Sequence, residues 1–170
     1  LSQRGMEQAK SLSSINTEFN MALVSDSIRS KETFYLSNLV SKKVLFLKEL
    51  RERSLGDFEG KKVNAIFSDI IYKEYWPDGL YKYFRTSFTQ SAPNGERYNV
   101  VCCRLELVVN KIENMRENEK ILIISHYHTI RCLLYLLGLV DVDSILKINV
   151  SNCEVIKLVS KINNGFKILN

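Results

Sequence analysis

The chain has 170 residues, 45% hydrophobic and 25% charged, a balance that suits one globular domain with a true core. Its net charge of +5 is spread along the chain without a dense basic block, which argues against nucleic acid and leaves a mild bias toward small anions. The longest apolar run, around Ile130–Val140, is too short to span a bilayer and carries Arg131, so no membrane attachment is expected.

From the amino end, LSQRGMEQAK is polar and helix-like, with no secretory signal pattern. Met21–Val24 predicts a short strand that ends in Ser25-Asp26-Ser27. Ser27–Leu39 has helical spacing, and Val44–Leu47 predicts a second strand. ERSLGDFEGKK carries two glycines and reads as a loop; Val63–Ile71 reads as a helix. Tyr72–Pro93 is aromatic, holds both prolines, and predicts an irregular surface excursion. Arg97–Asn118 is the clearest long helix, with Val100, Val101, Arg104, Leu105, Val108, Ile112 and Met115 on one face at intervals of three and four.

Ile121–Ile124 is apolar without alternation, as a strand buried on both faces is. Thr129–Leu137 then predicts a helix closed by Gly138. CEVIKLV, between Val150 and Val159, reads as a final strand, with room for one more at Phe166–Leu169. Strands alternating with helices predict a single α/β domain over residues 1–170, a three-layer α/β/α sandwich around a mainly parallel sheet. Cys102, Cys103, Cys132 and Cys153 lack C-x-x-C spacing and read as reduced packing residues of a cytoplasmic protein. His126 and His128, two positions apart, lack the ligand spacing of a zinc site, and no metal is expected.

Ligands of such sheets bind at the carboxyl ends of the strands. Two strand ends carry suggestive chemistry, Ser25–Arg29 and Ser125–Arg131. His126 stands between a buried strand and a helix whose first N–H groups favour an anion. From position alone it fits a phosphate ligand as well as a histidine bonded to the helix backbone. Arg29, in the first turn of the helix after Met21–Val24, could lean over the same edge and grip a phosphate, or be an ordinary surface arginine. Glu52, just past Val44–Leu47, could serve as general acid or base, or be one carboxylate among several in a charged loop.

Taken together, four motifs in order resemble those of the histidine phosphatase superfamily, the phosphoglycerate-mutase-like proteins. LSQRGMEQAKSL resembles the helix L-T-x-x-G-x-x-Q-A. SDSIRSKETF resembles S-x-L-x-R-A-x-Q-T-A, with Ser25, Arg29 and Thr33 in place. LRERSLGDFEG resembles L-x-E-x-x-x-G-x-W-E-G, with Leu50, Glu52, Gly56, Phe58, Glu59 and Gly60 in place. PNGERY, a long helix and ISHYHTIR resemble P-x-G-E-S, helix, S-H-G-x-x-I-R. The resemblance covers Leu1 to about Val159.

It implies a phosphoglycerate mutase-like fold and cleavage of phosphomonoesters through a phosphohistidine, without metal or other cofactor. It also implies Arg29 and His126 as ligands of the phosphoryl oxygens, and Glu52 as the residue that protonates the leaving oxygen and then activates water. A nitrogen nucleophile divides the reaction into two easier steps, and a cationic cradle stabilises the spread phosphoryl charge.

Two departures from the pattern bear on the nucleophile and the pocket mouth. R-H-G, which carries the family's nucleophile on a central strand before the first helix, occurs nowhere in these residues. A sheet without its centre would expose apolar edges. The natural protein is therefore expected to carry further residues before Leu1; the alternative is a non-catalytic phosphate binder. The 170 residues alone are expected not to turn over p-nitrophenyl phosphate. The second departure is Tyr127-His128, where small residues usually follow the histidine. Tyr127 is expected to wall the pocket with its ring and face substrate with its N–H, and His128 to be peripheral.

The short excursion between Gly60 and Pro93, the short tail and GDFEG favour a phosphatase over a mutase. The expected substrate is a small phosphorylated metabolite, partly covered by YKEYWPDGLYKYF. A homodimer is compatible with this reading.

Overall fold

The computed structural model describes residues 1–70, 72, 87–116, 118–145, 147–161 and 165–169. Three strands form the central sheet: β2 (Met21–Ser25) in the middle, with β4 (Val44–Leu47) and β5 (Ile121–Ile124) on either side. Both pairings are parallel, with Ala22 opposite Val44 and Leu122, and Val24 opposite Phe46 and Ile124. Parallel register requires every connection to cross a face of the sheet, and helices do this. A small parallel pair, β1 (Glu18–Phe19) with β3 (Val40–Ser41), flanks the sheet. An antiparallel ribbon closes the chain, β6 (Lys157–Lys161) with β7 (Gly165–Leu169).

Strand side chains alternate between two cores. Ala22, Val24, Val44, Leu122 and Ile124 pack on Phe34 of α2 (Ile28–Leu36), beside which lies α1 (Gln3–Ser11). Leu23, Leu45, Ile121 and Ile123 turn to the other face. There Val101, Leu105 and Val108 of α4 (Tyr98–Glu113) meet Cys132, Leu133 and Leu137 at α5 (Tyr127–Leu136). Leu158 of β6 and Phe166 of β7 pack on this second core. The result is the three-layer α/β fold expected from the sequence. Shorter helices complete it, α3 (Val63–Ser68) and α6 (Val142–Ile145).

Element bounds differ mostly at the ends. The long helix stops at Glu113 rather than Asn118, and Asn118 takes a positive φ of 74°. α5 begins two residues earlier than expected, at Tyr127. It ends as predicted, on Gly138 at φ +69°, whose N–H bonds Tyr135 O while Leu139 N bonds Leu134 O. α3 ends at Ser68, short of Ile71. The last strand begins at Lys157, so Cys153–Ile156 stays outside it, and the further strand at the carboxyl end is real. From 73 to 86 the aromatic excursion, with most of the segment expected to cover substrate, lies outside the described residues. Among the described residues no helix is long and apolar enough to cross a membrane.

Candidate active site

Because β2, β4 and β5 are parallel, their carboxyl ends lie along one edge of the sheet, and the three segments that leave that edge bring Arg29, Glu52 and His126 together. Arg29 sits in the first turn of α2 at the exposed rim and reaches back: its Nε–H donates to His126 Nδ1 at 3.0 Å. His126 occupies the N-cap position of α5, yet its side chain makes no capping hydrogen bond. This removes the reading of a histidine bonded to its own helix. The ring is buried and its second nitrogen faces serines, with Ser25 Oγ 2.9 Å from Nε2. Burial first, and the positive charge of Arg29 next, hold its pKa down to about 4, so the ring is neutral at pH 7.

Glu52 supplies the cap that His126 does not. Its Oε1 accepts the backbone N–H of His128 at 3.1 Å, in the first turn of α5, and that of Arg53 at 2.9 Å. A carboxylate at a helix N-terminus is favoured by the orphan N–H groups and the helix dipole. Burial works against this and wins: the Glu52 pKa is raised, although the N–H groups of Arg53, His128 and Thr129 and the charge of Arg29 all pull it down. A carboxyl group that is held in place and biased toward its protonated form suits a general acid.

Several contacts fix the Glu52 loop. Ser125 Oγ donates to Leu50 O at 2.9 Å, and Thr129 Oγ1 to Arg51 O at 2.7 Å. Arg104 reaches out of α4 to the carbonyls of Glu49, Arg51 (2.9 Å) and Glu52 (3.3 Å), and pairs with Glu96 at 2.9 Å. Glu96 also accepts Ser54 N–H at 2.9 Å. Gly56, at φ +52°, lies so close to the Pro93–Gly95 backbone that a Cβ would come within 2.1 Å of Pro93 O, so the GDFEG and PNGE turns lock together only through a glycine. Arg53 is buried, donates to Glu96 O at 2.7 Å and stacks 4.5 Å from the centre of the Tyr98 ring. The Arg51 side chain turns away from these contacts and forms a two-pronged ion pair with Asp26, at 2.6 and 2.7 Å, which lowers the Asp26 pKa.

The expectation for His128 needs correction. It is buried, not peripheral: its Nδ1 lies 2.5 Å from Tyr98 Oη, and Arg131 Nη1 donates to the same hydroxyl at 3.3 Å. A small residue at this place would leave Tyr98 without that imidazole. Tyr127 packs edge-on against His128, under the guanidinium of Arg131 at 4.1 Å, with its hydroxyl toward Ile148 O at 3.3 Å. Sequence reasoning missed Glu96, Tyr98 and Arg104; the E of PNGERY was the one available signal, since that motif position is carried by the resemblance. Among the described residues no group of three or more His, Cys, Asp or Glu is arranged to hold a metal ion.

An arginine, a neutral histidine and a half-buried carboxyl group stand together at the carboxyl edge of a parallel sheet, the edge where α/β folds bind small anions. The model of the histidine phosphatase superfamily, branch 1, matches residues 1–169, and the chain belongs to that family. Among solved structures it is similar to Bacillus stearothermophilus YhfR (TM-score 0.79, 23% identity, 99% of this chain and 82% of the other). It is equally similar to the alpha-ribazole phosphatase of Shigella flexneri (TM-score 0.79, 21% identity, 99% and 82%). The mycobacterial glucosyl-3-phosphoglycerate phosphatase also matches (TM-score 0.70, 21% identity, 88% and 72%). At these identities the likeness is one of fold. No curated protein sequence matches the chain.

Proposed function

We propose that the protein is a phosphomonoesterase acting through a phosphohistidine on a small phosphorylated metabolite. The observation that carries this reading is the Arg29–His126 pair at 3.0 Å, two phosphate-binding groups engaged with each other at the strand edge, with Glu52 held on the adjoining helix N-terminus. Arg29 and His126 take phosphoryl oxygens. A nucleophilic histidine forms the N–P bond as the P–O ester bond breaks, and Glu52 gives its proton to the leaving oxygen. Water then adds to phosphorus, Glu52 accepts its proton, and phosphate leaves the regenerated histidine.

The nucleophile is not among these 170 residues, whose two histidines are His126 and the tyrosine-bonded His128. Among the described residues β4 and β5 are each paired on one edge alone, so a strand that delivers a third histidine has an edge to join. Names of the similar structures support phosphatase over mutase. Tyr127 is retained as a substrate-side wall, through its ring and N–H. The test is phosphatase activity of the full-length gene product, with phosphomonoesters of small metabolites. Hydrolysis that requires Arg29, Glu52 and His126 supports the reading. Phosphate binding without hydrolysis would make it a binder instead.

A further inference from the structure

Two departures from the resembled motif meet at one atom. Where S-x-L-x-R-A has leucine and alanine, this chain has Ser27 and Ser30. Together with Ser25 they surround His126 Nε2: Ser25 Oγ at 2.9 Å, Ser27 Oγ at 3.2 Å and Ser30 Oγ at 3.3 Å. Ser25 and Ser30 are buried, and Ser27 half-buried.

Ser27 also breaks a local rule. It is the N-cap residue of α2, where a serine normally accepts a backbone N–H of the first turn and so stabilises the helix. Its hydroxyl makes no capping bond and goes to Ser30 Oγ, at 3.0 Å, and to the histidine. Ser2, the N-cap of α1, caps Gly5 N in the ordinary way at 3.2 Å.

Proton inventory fixes the direction of these bonds. A guanidinium can only donate, so His126 Nδ1 accepts from Arg29 Nε–H. A neutral imidazole then carries its proton on Nε2, which donates to Ser25 Oγ. Ser25 donates to Ser27 at 3.3 Å, and Ser27 to Ser30. The directions are consistent along the row, and such chains reinforce one another in a buried site.

We infer that Ser25, Ser27 and Ser30 are positioning residues that hold the Nε2 proton of His126 and so reserve Nδ1 for the phosphoryl group. This rests on the phosphate-site reading above. When an anion draws Arg29 away from Nδ1, an imidazole lone pair cannot face it. Nδ1 gains a proton and donates it to the ligand oxygen, while Nε2–H stays on the serines. Anion binding therefore takes up about one proton. The charged groups that act on the ring are Arg29 from α2, Arg104 from α4 and Asp26 after β2; the arginines oppose the uptake, and Asp26, like the incoming anion, favours it, while Glu52 after β4 feels the charge of Arg29 and has its pKa raised by burial toward the neutral form. Burial and Arg29 keep the free ring neutral, so the proton comes from solvent.

The test uses the ¹⁵N-labelled 170-residue chain and sulfate, a tetrahedral dianion that does not titrate between pH 5 and 8. Long-range ¹H–¹⁵N spectra distinguish the two tautomers and the imidazolium; His128→Phe assigns the two rings. The expected free state is neutral His126 with the proton on Nε2, turning to imidazolium with saturating sulfate. Calorimetry in buffers of different ionisation enthalpy should show about one proton taken up. Ser25→Ala and the motif-restoring pair Ser27→Leu/Ser30→Ala should mix the tautomers and weaken sulfate roughly three- to tenfold. A purely structural role for the serines would leave the tautomer unchanged in the variants. Wild-type His126 with its proton on Nδ1, or sulfate binding without proton uptake, overturns the inference and leaves the proposed function standing. No sulfate binding to the wild type overturns the phosphate-site reading, and the inference with it.

Discussion

α1 and α2 both start with a serine at the N-cap, and the two serines do different work. Ser2 accepts Gly5 N–H and stabilises its helix. Ser27 leaves the first turn of α2 uncapped and points its hydroxyl at His126. α5 repeats the second case: its N-cap is His126, which does not cap, and the carboxylate of Glu52 comes from another segment to meet the free N–H groups. At the strand edge two cap residues, Ser27 and His126, turn toward each other instead of toward their own helices, and departures from a local rule are expected where a site is built.

The largest test of that contrast is kinetic. In the full-length gene product, Arg29→Ala and His126→Ala should each lower kcat/KM by about 10²–10³, the usual loss when one preorganised donor to a transition state is removed. A comparable loss from Ser2→Ala would erase the distinction between the two ends. Glu52→Gln should cost less with p-nitrophenyl phosphate than with an alkyl phosphate, whose poor leaving group needs the proton. Equal losses on the two substrates would take Glu52 out of the acid role.

Stability against pH separates the same groups. His126 has its folded pKa depressed to about 4, below the usual 6.5, so its neutral form contributes stability at neutral pH that is lost as pH falls from about 6.5 to 4. The loss is on the order of 2–3 kcal/mol for a shift of this size. In urea unfolding, His126→Asn should flatten that acid limb. Glu52 has the opposite sign. Its folded pKa is raised above 4.5, so its protonated form adds stability at acid pH that fades as pH rises through the folded value. Glu52→Gln should therefore gain on the wild type as pH rises, and match it near pH 4. The smallest effect is the direct comparison: Ser2→Ala should cost about 1 kcal/mol, a shift of roughly 2–4 °C in Tm, and Ser27→Ala distinctly less.

Much of this site could be read from the sequence, and the reasons for the rest are physical. Arg29, Glu52 and His126 each follow a short apolar strand, and strand ends are where parallel sheets put ligands, so motif order and topology agreed. Arg104 was hidden because it falls on the same three-and-four spacing as Val101, Leu105 and Val108. Periodicity gives the face but not how far a side chain reaches, and this one extends past the core to three backbone carbonyls. His128 was misjudged because its partner, Tyr98, is 30 residues away on another helix. Ser27 and Ser30 fall in a span of helical spacing that says nothing of their hydroxyls, and only the position of Nε2 shows what those contact. The β6–β7 ribbon was placed correctly but begun too early, since Val155 and Ile156 extend the apolar pattern without joining a ladder.

The most direct measurement is titration of the 170-residue chain with inorganic phosphate, by calorimetry or ³¹P NMR, beside Arg29→Ala, His126→Ala and Ser2→Ala. The account predicts saturable binding to the wild type, equal binding to Ser2→Ala, and at least a tenfold loss in each of the other two. Phosphate binding unchanged by Arg29→Ala and His126→Ala would contradict it.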